Sequence, residues 1–234
     1  MSPDARETRL LDAATKLFVR HGFDKTTIAE IAREAGVGKG SVYLHFDSKE
    51  DLLESLMLRD LYALSEGWFS AVMADPRGGT LGGMYKAMLE GLQRSPFMAA
   101  LMGRDALLLG DYVRRPDNVF KLAGRGQMTR HEVIALMQQA GAVRDDIDAK
   151  VIAHIMNMLS YGMVGLDEIV PAEEIPPLED TLAGIAEVMD RALTPPTEQA
   201  SAAGKAVLEQ VFSGARMKFR TLMDERRAKR ESNQ

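Results

Sequence analysis

Residues 26–46 read Thr26-Thr27-Ile28-Ala29-Glu30-Ile31-Ala32-Arg33-Glu34-Ala35-Gly36-Val37-Gly38-Lys39-Gly40-Ser41-Val42-Tyr43-Leu44-His45-Phe46, and this stretch decides the fold. Thr27 followed by Glu30 is a capping pair: the hydroxyl accepts an amide that the first helical turn leaves unpaired, and the carboxylate answers the Thr27 amide. A helix therefore starts at Ile28. Ile28, Ile31, Ala32 and Ala35 fall on one face of it. Gly36 supplies the positive φ that stops it, Val37-Gly38 turns the chain, and Lys39 to His45 makes a second short helix. Ser48-x-x-Asp51 repeats the capping pattern and opens a further helix directly behind. Two short helices at this spacing, with small Ala32 permitting close packing, make a helix-turn-helix.

The second short helix has two unlike faces. Val42 and Phe46 belong to the core, whereas Lys39, Gly40, Ser41, Tyr43 and His45 lie outward. That outward set suits a nucleic-acid duplex: Lys39 and His45 reach phosphates, Ser41 and Tyr43 donate to phosphates or base edges, and Gly40 lets the backbone approach a groove. Thr27 with the amides behind it offers one phosphate site, and Lys49 a second. Bulk charge argues the other way. The chain carries a net −5, and residues 1–49 hold eight Lys or Arg against seven Asp or Glu. Placed groups and helix ends must then do what clustered cations usually do. A compact three-helix packing module remains the alternative reading.

Residues 8–53, above all Thr26 to Ala32, Gly36 to Phe46 and Ser48 to Leu52, resemble the tetracycline-repressor (TetR) family. The resemblance implies a homodimer whose first three helices read operator DNA, with a fourth helix leading to a ligand-binding body. It implies phosphate contacts from Thr27, Tyr43, His45 and Lys49. Together with the reading above, the DNA-facing set is Thr26, Thr27, Val37, Gly38, Lys39, Gly40, Ser41, Tyr43, Leu44, His45 and Lys49. Leu44 stands where many members carry an aromatic or polar group, and it offers only an apolar contact such as one to a thymine methyl.

Outward from this head the pattern stays helical, with no convincing period-two run, so the fold class is all-α with about nine or ten helices. Breaks at Gly22, Gly36, Pro76, Pro116, Gly141, Pro171 to Pro177 and Pro195-Pro196 divide it. The expected organisation is a reading head over 1–47, a ligand-binding and dimerisation body over 48–193, a linker over 194–204, and a basic amphipathic helix over 205–234. The fourth helix should run from Ser48 to about Ala74. Helices from about Ile147 to Val170 and Leu178 to Leu193 carry apolar stripes with Gly162, Gly165, Ala183 and Gly184, which points to a dimer surface; burial within one subunit is the alternative. Trp68, Phe69, Met73, Met88, Phe97, Met102, Tyr112, Phe120, Met128 and Met137 are candidates for an apolar effector pocket, since methionine tolerates irregular shapes. Ordinary core packing explains the same residues. The tail, with Leu208, Val211, Phe212, Ala215, Phe219 and Leu222 in one stripe, should pack on the body or on a partner; a DNA or membrane-surface role for Arg226 to Arg230 is the alternative.

Composition bounds the rest. With 234 residues, 46% of them hydrophobic and 27% charged, the chain can bury a core in one large unit or two modest ones. It has no cysteine, which excludes disulfides and thiolate metal sites and suits a reducing cytoplasm. Ser2 to Arg9 is polar and lacks a signal-peptide core. Val151 to Leu166 is too short for a membrane span. His21, His45, His131 and His154 lack paired ligand spacing, and no nucleophile stands beside a base, so neither metal, cofactor nor catalysis is expected. A ligand-responsive DNA-binding repressor is the leading reading. A constitutive DNA-binding protein comes second, and an enzyme on a helical scaffold third.

Overall fold

Three glycines adopt the left-handed backbone, Gly22 at φ 81°, Gly36 at 66° and Gly141 at 74°, and each ends a helix where the sequence breaks. The computed structural model describes residues 3–95, 97–98, 128–165 and 170–232. Among them are nine α-helices and no strand: α1 Pro3–His21, α2 Ile28–Glu34, α3 Lys39–Tyr43, α4 Lys49–Ala74, α5 Leu81–Gln93, α6 Arg130–Gln139, α7 Ala149–Gly165, α8 Leu178–Leu193 and α9 Ala200–Ser232. No described helix is long and apolar enough to cross a membrane. The all-α expectation is met.

The chain forms two compact units. The first takes the described residues through Leu64, then Ser95, Phe97 and Met98, and the chain from Arg216 onward. Here α1, α2 and α3 pack on one another, and Leu10, Phe18, Ile31, Val42, Phe46 and Leu52 are almost fully buried. Phe18 and Phe23 tilt together with centroids 5.5 Å apart, closing the corner after Gly22. Arg59 of α4 reaches Asp12 of α1 at 2.7 Å and Asp60 at 2.8 Å. Burial raises the Asp60 carboxyl above the usual aspartate range, against the pull of Arg59.

The second unit takes Ser65–Arg94 and the described residues from 128 to Ala215. Val72, Leu81, Ile134, Met137, Ile152 and Leu182 share one buried cluster. Helices α5 and α8 meet so closely that a Cβ on Gly82 would sit 2.3 Å from the Ala186 carbonyl. The Gly82 amide donates to Asp190 at 3.2 Å, and Arg77 pairs with the same carboxylate at 2.7 Å. An apolar helix contact is thus pinned by one buried acid.

The stretch expected as a linker departs from that expectation, because it is helical from Ala200. Its small residues dock on the turn after α4. The Gly79 amide donates to Ser201 Oγ at 3.1 Å, Ser201 Oγ donates to the Pro76 carbonyl at 2.7 Å, and Lys205 Nζ reaches the Met73 carbonyl at 3.0 Å. A Cβ on Gly204 would meet the Gly79 carbonyl at 1.9 Å. Helix α9 is therefore one continuous element of 33 residues, not a linker followed by a separate tail. Helix α7 begins two residues later than expected, since Asp148 accepts the Lys150 amide at 2.8 Å and serves as its cap. Residues 166–169 of that expected helix lie outside the described ones.

Candidate nucleic-acid interface

Capping builds the head as the sequence predicts. Thr27 in extended conformation (φ −110°, ψ 155°) accepts the Glu30 amide at 3.3 Å, and the Thr27 amide donates to Glu30 at 2.8 Å. The Thr27 hydroxyl and amide together hold the Glu30 carboxyl below the usual glutamate range. Ile31, Ala32 and Ala35 are buried. The Ala35 and Val37 amides close back onto Ile31 and Ala32 through Gly36, and Gly38 leads into α3.

Helix α3 is shorter than expected. It ends at Tyr43, and the His45 and Phe46 amides both donate to the Val42 carbonyl at 2.9 Å, which tightens the last turn. Val42 and Phe46 are buried, as the spacing requires. Gly38, Lys39 and Gly40 are exposed, Tyr43 is 49% and Leu44 59% exposed, and Val37, Ser41 and His45 are half-buried. Thus a polar and aromatic face, with one apolar step at Leu44, projects from a rigid support.

Two members of the predicted set sit differently. Thr26 is 1% exposed, and its hydroxyl donates to the Gly22 carbonyl at 2.8 Å, so it shapes the corner between α1 and α2. Lys49 is half-buried. Its ammonium donates to the Phe23 carbonyl at 2.7 Å and the Thr26 carbonyl at 3.0 Å, and it lies 4.2 Å from the Phe23 ring centroid. The carbonyls at the end of a turn attract the cation, and the aromatic face completes its shell. Lys49 therefore fastens the start of α4 to the head, a role that spacing alone does not reveal.

The candidate effector residues scatter. Trp68 Nε1 donates to the Met84 carbonyl at 2.9 Å, and its ring lies 6.3 Å from Phe212. Phe69 is stacked on Phe212 with centroids 4.3 Å apart and planes 4° apart. Met73 packs on the core of the second unit, in which Met137 is fully buried. Met88 is half-buried, Phe97 is 1% exposed and Met128 44% exposed. Met102, Tyr112 and Phe120 lie outside the described residues. None of the described members of the set lines the cleft of about 630 Å³ formed by Gln138, Val143, Arg144, Asp146, Arg191 and Pro195 with their neighbours.

Helices α7 and α8 leave apolar side chains uncovered. Val151 is 50%, Ile155 42%, Met158 53% and Val188 66% exposed. Ala183 and Gly184 lie exposed beside Val188, and a Cβ on Gly184 would meet nothing within 4 Å. Opposite this stripe, Ile152, Met156, Leu182 and Met189 are buried, so each helix is apolar on both faces.

Comparison with known proteins gives one consistent answer. Residues 10–56 match the model of bacterial regulatory proteins of the tetR family. The "Probable acrEF/envCD operon repressor" of Escherichia coli K12 is 30% identical over 176 residues, covering 69% of this chain and 76% of that protein. The HTH-type transcriptional regulator TtgR of Pseudomonas putida is 35% identical over 89 residues, 37% of this chain and 42% of its own. In three dimensions, SmeT, the repressor of the Stenotrophomonas maltophilia multidrug efflux pump SmeDEF, superposes with a TM-score of 0.57 at 18% identity, over 82% of this chain and 92% of its own. The capped head, the exposed face of α3 and this kinship agree: the chain belongs to the tetR family of bacterial regulatory proteins and is a DNA-binding transcriptional regulator.

Proposed function

We propose that the protein is a homodimeric repressor that leaves its operator when an apolar small molecule binds its helical body. The exposed face of α3 carries this reading. Lys39, Gly40, Ser41, Tyr43 and Leu44 form the groove-facing set, with His45, Val37, Gly38 and the capped start of α2 at Thr27 beside them. Thr26 and Lys49 contribute by holding the head in shape. The apolar stripe of Val151, Ile155, Met158 and Val188 supports dimerisation, because a patch of this kind is costly to leave in water. Two-fold symmetry would then present two α3 helices about one DNA turn apart, some 34–36 Å, on a palindromic site.

Repression is the role of the E. coli relative and of SmeT, and it is the sign we assign here. An apolar effector fits the methionine-rich body, where Met73 and Trp68 pack against the core and Met88 is half-buried. The protein contains a single tryptophan, Trp68, half-buried among these residues. Selecting bound sequences from random DNA gives the operator; titrating apolar compounds against Trp68 emission and operator binding then gives the effector. Operator DNA must weaken effector binding by the factor by which effector weakens operator binding. Tyr43→Ala should lower operator affinity at least about fivefold while thermal unfolding stays as in wild type, since a good base contact is worth about 1–3 kcal/mol and each 1.4 kcal/mol is a factor of ten. Unchanged affinity would remove α3 from the interface.

A further inference from the structure

The stretch from Val37 to Phe46, which forms the turn and α3, is narrow in its side-chain chemistry. It includes no Arg, Asn, Gln, Asp or Glu. Base edges are told apart by hydrogen bonds chiefly through Arg or Lys on guanine, Asn or Gln on adenine, and Glu or Asp on cytosine. Of these side chains only Lys39 is present. It stands three residues ahead of buried Val42, on the flank of α3 nearer its support, a position suited to a backbone phosphate rather than to the floor of a groove. The hydroxyls of Ser41 and Tyr43 both donate and accept, so they discriminate poorly between bases.

The outermost line of α3 is apolar. A helix turns about 100° per residue. Leu44 stands two residues after Val42 and two before Phe46, about 200° round from each, and so points straight away from the buried pair. Val42 and Phe46 are 0% and 1% exposed, whereas Leu44 is 59% exposed. Leu44 keeps helical backbone, φ −76° and ψ −13°, and the His45 and Phe46 amides close on the Val42 carbonyl around it, so the tight turn fixes its place. Gly40, one turn back, shares this line, and a Cβ there would meet nothing within 4 Å. Ser41 and Tyr43 lie to either side. A bare backbone at Gly40 can thus come close to a groove floor, and one leucine projects into it a turn later. Of the four bases, thymine alone presents a methyl group in the major groove.

We propose that Leu44 is a specificity-determining residue, which selects thymine at one step of each half-site by packing on its 5-methyl group. This methyl contact takes the place of the base-specific hydrogen bonds for which α3 lacks side chains. The inference deepens the operator-binding reading and rests on it. The test uses the full chain and its selected operator. Each thymine is replaced in turn, in both half-sites, by deoxyuridine, which removes the methyl and keeps every hydrogen-bonding group. One replacement should weaken wild-type binding about fourfold per half-site, the worth of one buried methyl, and should cost Leu44→Ala almost nothing. At that same position 5-methylcytosine should be bound more tightly than cytosine by the wild type, and equally by Leu44→Ala. Thermal unfolding of Leu44→Ala should match the wild type, since the side chain is exposed. Equal losses in the two proteins at every thymine overturn the proposal. That includes the case in which Leu44→Ala binds all sequences uniformly more weakly, which would place the leucine on the sugar-phosphate backbone. Failure of the wild type to select any sequence would instead remove the operator-binding reading beneath it.

Discussion

The head and the second unit are held by different kinds of signal. In the head the decisive bonds are local: Thr27 and Glu30 are three residues apart, and Gly36 turns the chain within a five-residue span. In the second unit they are distant. Gly79 and Ser201 are separated by 122 residues, Met73 and Lys205 by 132, Gly82 and Asp190 by 108. A local device can be weakened without displacing its neighbours, whereas a distant one brings two backbones together and tolerates no added atom.

The largest expected effect tests that intolerance. Gly204→Val puts a side chain where a Cβ alone would stand 1.9 Å from the Gly79 carbonyl. Overpacking of this kind typically costs about 1–3 kcal/mol, and with backbone on both sides we expect about 3 kcal/mol. Urea unfolding reads it, and wild-type stability would show that α9 does not dock on the turn after α4.

A second substitution acts on assembly. Val188→Asp places a charge on the stripe of α8 that is 66% exposed in the single chain. The monomer should keep its fold while dimer affinity falls by about 2 kcal/mol, roughly thirtyfold, as at a buried interface position. Sedimentation at micromolar concentration checks it; an unchanged dimer would put the interface elsewhere.

The smallest effect is the local one. Thr27→Ala removes the cap of α2 and should cost about 1 kcal/mol. Because Glu30 has its pKa lowered in the fold by Thr27, its contribution is present above the ordinary glutamate value of about 4.3 and is lost as pH falls through the lower folded value. The gap between wild type and Thr27→Ala should therefore narrow in acid. A gap that stays constant from neutral pH to below about pH 4 would mean that the carboxylate takes no part in the cap.

The same contrast explains what is legible in the sequence. Caps, positive-φ glycines and the inward pair Val42 and Phe46 depend on neighbours within a turn or two, so spacing alone reveals them. Lys49 reads as DNA-facing because nothing local announces the Phe23 carbonyl, 26 residues away. Thr26 and Thr27 look equivalent, although only one of two adjacent hydroxyls can cap, and the other turns inward. The composition of residues 194–204 resembles a linker because close helix docking selects the same small residues as flexibility does; Gly204 and Ser201 are docking residues. Phe212 belongs to an apolar stripe by its spacing, but its stacking on Phe69 is visible from neither segment alone.

The pairing of α9 with α4 also orders events during synthesis. Tyr62, Trp68 and Phe69 are translated long before Phe212 and Phe219, and Arg226 follows Glu54 by 172 residues. Until that distant segment leaves the ribosome, Trp68 and Phe69 lack the Phe212 ring and Tyr62 lacks Phe219, and contacts at such separation close slowly. The helix-turn-helix, built from near neighbours, can assemble early. The nascent chain thus passes through a state with an early-formed helix-turn-helix and with Phe69 and Tyr62 still lacking their α9 partners, and transiently exposed apolar surface of this kind favours self-association. Chains interrupted before Phe212 should accumulate in that state, which makes the completeness of translation a condition for solubility.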